Sequence, residues 1–222
     1  MTASTRPLRG FRTLLGERRW AHLLEQGVQR VYGPRVTLMR QGDQGTTVLM
    51  VVSGRVKVFG TEQNGGRLLL ALRGEGDLLG EIAARSASPR TATVETIDRC
   101  TVHVLPVDRF NIFLEKHNGQ AALADYSISK LSQTVPYQVE LVHFSPERKI
   151  ARLLLEVVAL ADDASSDPQR VPFSQQELAD ALGMARSTVA HYVQRLKDSG
   201  ALRAGPRLVV ADVGRLKTIA GL

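Results

Sequence analysis

The stretch Ser174–Leu202, SQQELADALGMARSTVAHYVQRLKDSGAL, decides how the C-terminal third of this 222-residue chain folds. Ser174 and Glu177 stand in the S-x-x-E relation of a capping box, each side chain closing a backbone N–H left open at a helix start. Leu178 and Leu182 then share one face, and Gly183 follows where a tight interhelical turn needs positive φ. A second helix over about 185–199 sets Val189, Val193 and Leu196 inward. Ser187, Ala190, His191 and Gln194 fall on its outer side, with Arg186 on the exposed leading turn. Two short helices joined by a glycine turn, the second polar outside, read as a helix-turn-helix. Apolar spacing alone also fits any helix pair in a small domain.

The geometry of such a unit explains the chemistry. A helix pushed end-on into the major groove presents its first-turn side chains to base edges. Arg186 carries a planar fork of donors that matches guanine O6 and N7. Thr188 and the N–H groups near the helix start suit phosphate, and Lys197, Arg203 and Arg207 lie where a flanking backbone is within reach. After Gly200, ALRAGPRLVVAD reads as two short strands around Gly205-Pro206, the hairpin of a wing.

Charge agrees with a polyanionic partner. The net charge is +7, from 29 basic and 22 acidic side chains, and phosphate contacts gain by releasing condensed counterions. Residues 168–222 hold eight basic and four acidic residues, but residues 1–35 hold seven arginines against Glu17 and Glu25, so charge does not choose between the ends. The single cysteine, Cys100, excludes an internal disulfide and a multi-cysteine metal centre within one chain. No apolar run approaches the ~20 residues of a membrane span, and the N-terminus lacks the apolar stretch and cleavage site of a secretory signal. A cytoplasmic protein without membrane contact is expected. No G-x-S-x-G, H-E-x-x-H or Walker loop occurs, so catalysis is not expected.

Further upstream the texture changes. Residues 28 to about 107 are short β-branched runs, such as VLMVVSGRVKVF (Val48–Phe59) and CTVHVLP (Cys100–Pro106), separated by glycine-rich turns. That pattern predicts a closed or double-sheet β architecture, with a helix over roughly 8–26 leading in. From about Val107 the period becomes helical. Ala124, Ile128, Leu131, Val135, Gln138 and Val142 form a heptad stripe, which fits packing on a partner helix or on the chain's own domain. Pro136 within it predicts a kink or break. Ser145-Pro146 starts another helix burying Ile150, Leu153, Leu154 and Val157. ADDASSDPQR (Ala161–Arg170) reads as a polar loop and a plausible hinge.

The 174–202 stretch closely resembles the helix-turn-helix of the cyclic-AMP receptor and fumarate–nitrate regulator (Crp/Fnr) superfamily of transcription regulators. Glu177-Leu178-Ala179, Gly183 through Arg186 to Val189, and Leu196 through Gly200 to Leu202 carry the match. The resemblance marks Arg186, Ser187 and His191 as base readers. Ala185 stands where the family often has a capping hydroxyl, which forfeits about 1 kcal/mol. Ser187 and His191 replace a common glutamate and arginine, implying a DNA target different from the family's best-known half-site.

A second resemblance covers Val28 to about Asn118. Gly80-Glu81-Ile82-Ala83, then Arg90-Thr91-Ala92-Thr93-Val94 nine positions after the glutamate, is similar to the phosphate-binding cassette of cyclic-nucleotide-binding domains. Taken as bare chemistry, Glu81 and Arg90 are also a common surface pair. In the cassette reading Arg90 meets the cyclic phosphate and Glu81 accepts from the ribose 2′-hydroxyl. Backbone donors at Gly80 and Ile82 form a nest, and Thr91 offers a hydroxyl. On the dimer helix the family's Thr-Ser pair becomes Thr134 and Val135, so one base-contacting hydroxyl is missing.

The implied fold class is α+β: an N-terminal cyclic-nucleotide-binding β-roll (1–118), a long dimerisation helix (119–144) and a C-terminal winged helix-turn-helix (145–222). The implied function is a homodimeric, sequence-specific regulator of double-stranded DNA that meets RNA polymerase, controlled by a cyclic nucleotide and holding no metal. Cyclic AMP is the first choice; cyclic GMP, no effector, or a haem are alternatives. The histidines open to a haem are His22, His103, His117 and His143, of which His103 reads as an ordinary exposed strand residue.

Overall fold

The computed structural model describes residues 10–61, 66–86, 88–162, 165 and 167–222; at 85–86 and 133–142 the description covers the backbone alone. In chain order the elements are α1 (Gly10–Leu15), α2 (Glu17–Glu25), β1 (Val28–Tyr32), β2 (Thr37–Met39), β3 (Thr47–Ser53), β4 (Val56–Thr61), β5 (Arg67–Arg73), β6 (Leu78–Leu79), α3 (Glu81–Ser86), β7 (Thr93–Thr96) and β8 (Cys100–Pro106). They continue with α4 (Val107–Lys116), α5 (Gln120–His143), α6 (Pro146–Ala159), β9 (Arg170–Val171), α7 (Gln175–Leu182), α8 (Arg186–Asp198), β10 (Leu208–Val209) and α9 (Val213–Ala220).

Two four-stranded antiparallel sheets, ordered β1-β8-β3-β6 and β2-β7-β4-β5, form the expected β-roll. Strand β3 explains why its sequence is apolar on both faces. Leu49 and Val51 enter the core between the sheets with Val56, Val94 and Val102. Val48 and Met50 face the helices, joining Phe11, Trp20, Phe110, Leu123 and Tyr126. Period-two alternation thus feeds two cores from one strand. Cys100 is buried between the sheets, and burial pushes its thiol up to about 12, which keeps it protonated and unreactive at neutral pH.

Several expectations need correction. The leading helix over 8–26 is two helices, α1 and α2, separated at Gly16. The break expected near Pro136 is absent, since α5 runs unbroken through it. His103 is half-buried, and its Nδ1 donates to the Leu24 carbonyl at 2.8 Å, tying β8 to α2. At the ends of the 161–170 segment Asp162 is buried and Arg170 opens β9; residues 163, 164 and 166 lie outside the described residues. That strand also changes the wing. Leu202 and Arg203 bridge Val210 and Val209 as foreseen, but the regular pairing of β10 is to β9.

The helix-turn-helix forms as its residues dictate. Ser174 accepts from the Glu177 N–H at 3.1 Å, and Glu177 returns the bond to the Ser174 N–H at 2.8 Å. Gly183 closes α7 in the left-handed conformation, φ 61°. Ala185 caps α8 without a side-chain bond. Leu178, Val189, Val193 and Leu196 are buried with Ile150, Leu153, Leu154 and Val157 of α6. On α5 the sides differ: Leu123 and Tyr126 are buried in the roll's helical core, while Ala124 is exposed, Ile128 is 60% exposed and Leu131 is 68% exposed. Among the described residues, no helix is long and apolar enough to cross a membrane.

Candidate functional site

Strand β6 delivers the chain into Gly80, whose φ of +84° turns it into α3. Glu81 opens that helix and is 2% exposed, and Arg90 is 6% exposed. The turn lets the Arg90 guanidinium lie across the Gly80 backbone: Nη1 donates to the Gly80 carbonyl at 3.0 Å. Nη2 donates to the Thr47 carbonyl at 2.5 Å and approaches Thr47 Oγ1 at 3.3 Å. Three of the five guanidinium N–H groups are thus engaged, and Nε has no partner among the described residues. Burial draws the Arg90 guanidinium below its usual pKa, and the carboxylates of Glu81 and Asp43 pull it back up. An arriving phosphodiester anion acts in the same sense as those carboxylates.

Around this pair Ala83 is buried against Gly45, and Ile82 and Thr91 are exposed beside Glu81 and Arg90. Thr134 lies on α5, and its side chain is outside the described residues. The sequence reading missed Lys130. Its Nζ sits 2.8 Å from Glu81 Oε1 and 2.9 Å from the Leu78 carbonyl, over the Tyr126 ring at 4.4 Å. Burial lowers the Lys130 pKa, with Glu81 opposing. The Tyr126 hydroxyl donates to Asp77 Oδ1 at 2.8 Å and accepts from the Leu78 N–H at 3.1 Å. The available signal was helical spacing, because Lys130 lies one turn before Thr134 on the same face.

A Cβ added at Gly80 would lie 2.3 Å from Arg90 Nη1 and 2.8 Å from Met39 Cε, on a backbone that L side chains rarely adopt. Gly80→Ala is expected to displace the guanidinium and cost roughly 1–3 kcal/mol of stability. Thermal unfolding checks the second effect; an unchanged midpoint contradicts it.

At the other end, Arg186, Ser187 and His191 are exposed on the outer side of α8, and Thr188 is half-buried. Arg186 has no hydrogen bond or ion pair among the described residues, so its fork is available. The neighbouring polar side chains are engaged. Gln194 donates to Asp198 at 2.8 Å, and Arg195 lies 3.4 Å from Glu147 and stacks over Tyr192. Lys197, expected at phosphate, donates to the Gly205 carbonyl at 2.7 Å, which braces the wing turn against the helix and uses one of its three ammonium donors. Arg203 and Arg207 are exposed on the wing. The helix start therefore offers an open fork and hydroxyl, with cations arrayed beside it.

Comparison with known proteins matches both ends of the chain. Residues 29–117 match the family model of the cyclic nucleotide-binding domain, and residues 148–219 that of the Crp-like helix-turn-helix domain. The cyclic AMP receptor protein of Thermus thermophilus is 26% identical over 199 residues, covering 86% of this chain and 88% of that one. The cAMP-activated global transcriptional regulator CRP of Escherichia coli O157:H7 is 24% identical over 183 residues, covering 81% and 87%. Among solved structures, CLP of Xanthomonas campestris, described as a c-di-GMP responsive global regulator, is similar with a TM-score of 0.73 and 23% identity, covering 89% of this chain and all of that one. The matched domains and relatives are those of transcription regulators, not enzymes.

Proposed function

We propose the following for this chain, which belongs to the Crp/Fnr superfamily of transcription regulators: it is a homodimer whose DNA affinity is set by a cyclic nucleotide, cyclic AMP first. Residues 1–118 hold the effector, 119–144 the dimer helix and 145–222 the DNA reader. Gly80, Glu81, Ile82, Ala83, Arg90 and Thr91 line the effector site, with Thr134 approaching from α5. Arg186, Ser187 and His191 read bases. Thr188, Lys197, Arg203 and Arg207 hold phosphate, Lys197 also steadying the wing turn. The setting is the cytoplasm, with RNA polymerase as the further partner.

The observation that carries this reading is the Glu81–Lys130 pair. A ribose 2′-hydroxyl donating to Glu81 competes for the carboxylate that anchors α5. Effector binding and the position of the dimer helix therefore share one group. A ligand acts through its differential affinity for the two arrangements. The exposed Ile128 and Leu131 suit a second copy of α5, since each apolar side chain gains roughly 1.5–3 kcal/mol on full burial. Ile128→Asp with Leu131→Asp is expected to convert a dimer to a monomer at micromolar concentration. Sedimentation equilibrium reads this, and a dimer that survives both substitutions rejects the seam.

Selection of bound DNA from a random pool tests the function as a whole, run without effector and with cyclic AMP, cyclic GMP or cyclic di-GMP. A twofold-symmetric site enriched only with cyclic AMP is the expected result. Enrichment that ignores all three nucleotides removes the effector assignment. Thr91 beside the cassette arginine favours cyclic GMP as the second reading, because its hydroxyl can face a guanine edge.

A further inference from the structure

A cleft of about 490 Å³ lies where α1, the end of β5, α5 and α6 meet, and its described lining shares no residue with the Gly80–Arg90 cassette. That size falls within the roughly 300–1,000 Å³ of small-molecule sites, whose apolar walls carry a few convergent polar groups. Here the apolar wall is the buried Leu72, the half-buried Leu160 and the more open Leu14. The wall is fixed in advance. The Arg12 N–H donates to the Gly76 carbonyl at 2.9 Å and its guanidinium donates to Glu75 at 2.6 Å, which pins α1 to the β5–β6 turn.

The polar groups of the lining differ in whether the fold already engages them. Both Asp77 oxygens accept, from the Tyr126 hydroxyl at 2.8 Å and the Gly74 N–H at 2.9 Å. Lys130 is held by Glu81 and the Leu78 carbonyl. Arg73 is different. Its Nη1 donates to the Leu72 carbonyl at 2.8 Å, while Nε and Nη2 have no partner and no carboxylate lies in ion-pair range among the described residues. Burial, Asp77 and Glu81 raise the Tyr126 pKa and the Arg73 charge opposes them, which sets that guanidinium near the Tyr126–Asp77 pair. From α5, Ser129 donates its hydroxyl to the Tyr126 carbonyl at 2.8 Å, so its oxygen can still accept. From α6 comes the carboxylate of Glu156.

We propose that this cleft is a second ligand site, which binds a free α-amino acid with an apolar side chain whatever the cassette holds. Arg73 takes the carboxylate through a charge-assisted contact from its unengaged donors. Ser129 Oγ and Glu156 accept from the ammonium, and Leu14, Leu72 and Leu160 cover the side chain. The lining carries both signs, with Arg73 and Lys130 against Asp77 and Glu156. A simple anion would meet two carboxylates, and a simple cation would meet two basic side chains. A zwitterion meets each sign with its opposite.

Calorimetric titration of the full-length protein with L-leucine, L-methionine and L-phenylalanine tests this. At least one is expected to saturate below about 1 mM. For that purpose 4-methylpentanoate, which lacks leucine's ammonium, and 3-methylbutylamine, which lacks its carboxylate, serve as one-charge controls. Each is expected to bind at least about tenfold more weakly than the amino acid. Equal binding of 4-methylpentanoate makes the cleft a plain anion site and overturns the proposal, as does the absence of saturation by all three amino acids at about 10 mM. Arg73→Met keeps the apolar length of the side chain and gives up only a bond to the neighbouring carbonyl. It is expected to weaken the amino acid about tenfold or more, with an unchanged unfolding midpoint, and wild-type affinity in this variant overturns the assignment of Arg73. Leu14→Trp, at an exposed position, gives an independent variant. Its indole is expected to crowd the cleft and weaken the same titration, and unaltered binding in both variants places the amino acid elsewhere.

Discussion

Arg90→Ala is expected to weaken cyclic nucleotide binding by about two to three orders of magnitude, the consequence of leaving a desolvated phosphate charge without its partner. The effect is large because the site holds Arg90 in place before any ligand arrives. The Gly80 carbonyl and Thr47 orient the fork, and Nε stays available. Part of the loss is structural. Alanine leaves those carbonyls unsatisfied, costing roughly 1–3 kcal/mol of stability, so thermal unfolding must accompany calorimetry. Arg90→Lys separates charge from geometry, since an ammonium keeps the charge but cannot span both carbonyls and a phosphate. Wild-type affinity in a folded Arg90→Ala protein would remove the cassette assignment.

The second large effect belongs to Arg186. Its side chain is exposed at the leading turn of α8 and engages no neighbour among the described residues, so Arg186→Ala removes nothing that holds the fold. A bidentate arginine–guanine contact contributes about 1–3 kcal/mol of discrimination, and a twofold dimer makes it twice. Binding to the selected site is expected to drop accordingly, with preference lost at one base pair in each half-site. Arg203→Ala and Arg207→Ala on the wing should behave differently. They weaken all sequences alike and reduce the salt dependence of binding by about one counterion per contact. A uniform loss in Arg186→Ala, measured across a panel of single-base variants, makes Arg186 a phosphate contact instead.

Local signals were the readable ones. The capping box at Ser174–Glu177, the Gly183 turn, the Ser145-Pro146 start and the bare Ala185 cap each depend on residues a few positions apart, and each appears in the structure as expected. Partners distant in sequence stayed hidden. Lys130 reads as a solvated helix charge until the roll brings Glu81, 49 positions away, to its ammonium. Arg55 reads as a turn residue until Asp98 and Val157 close over it. Strand β9 is two residues long, and its pairing with β10 joins residues 37 and 39 positions apart, beyond any periodicity. Pro136 did not break α5 because proline's φ is compatible with a helix and its cost is one backbone bond and a local clash, which a long helix tolerates. The cassette motif was visible by resemblance, but only the structure reveals that Glu81 is already paired with Lys130 and that the Gly80 and Thr47 carbonyls hold Arg90 in place.

Methylation interference on the selected duplex, with effector present, tests most directly that the start of α8 enters the major groove as one of a twofold pair. Methyl groups at guanine N7 should block binding at two symmetric positions about one helical turn, or 34 Å, apart, and Arg186→Ala should relieve the block at both. Interference in a single patch, or at minor-groove adenine N3 alone, would contradict the placement of the recognition helix and the dimer together.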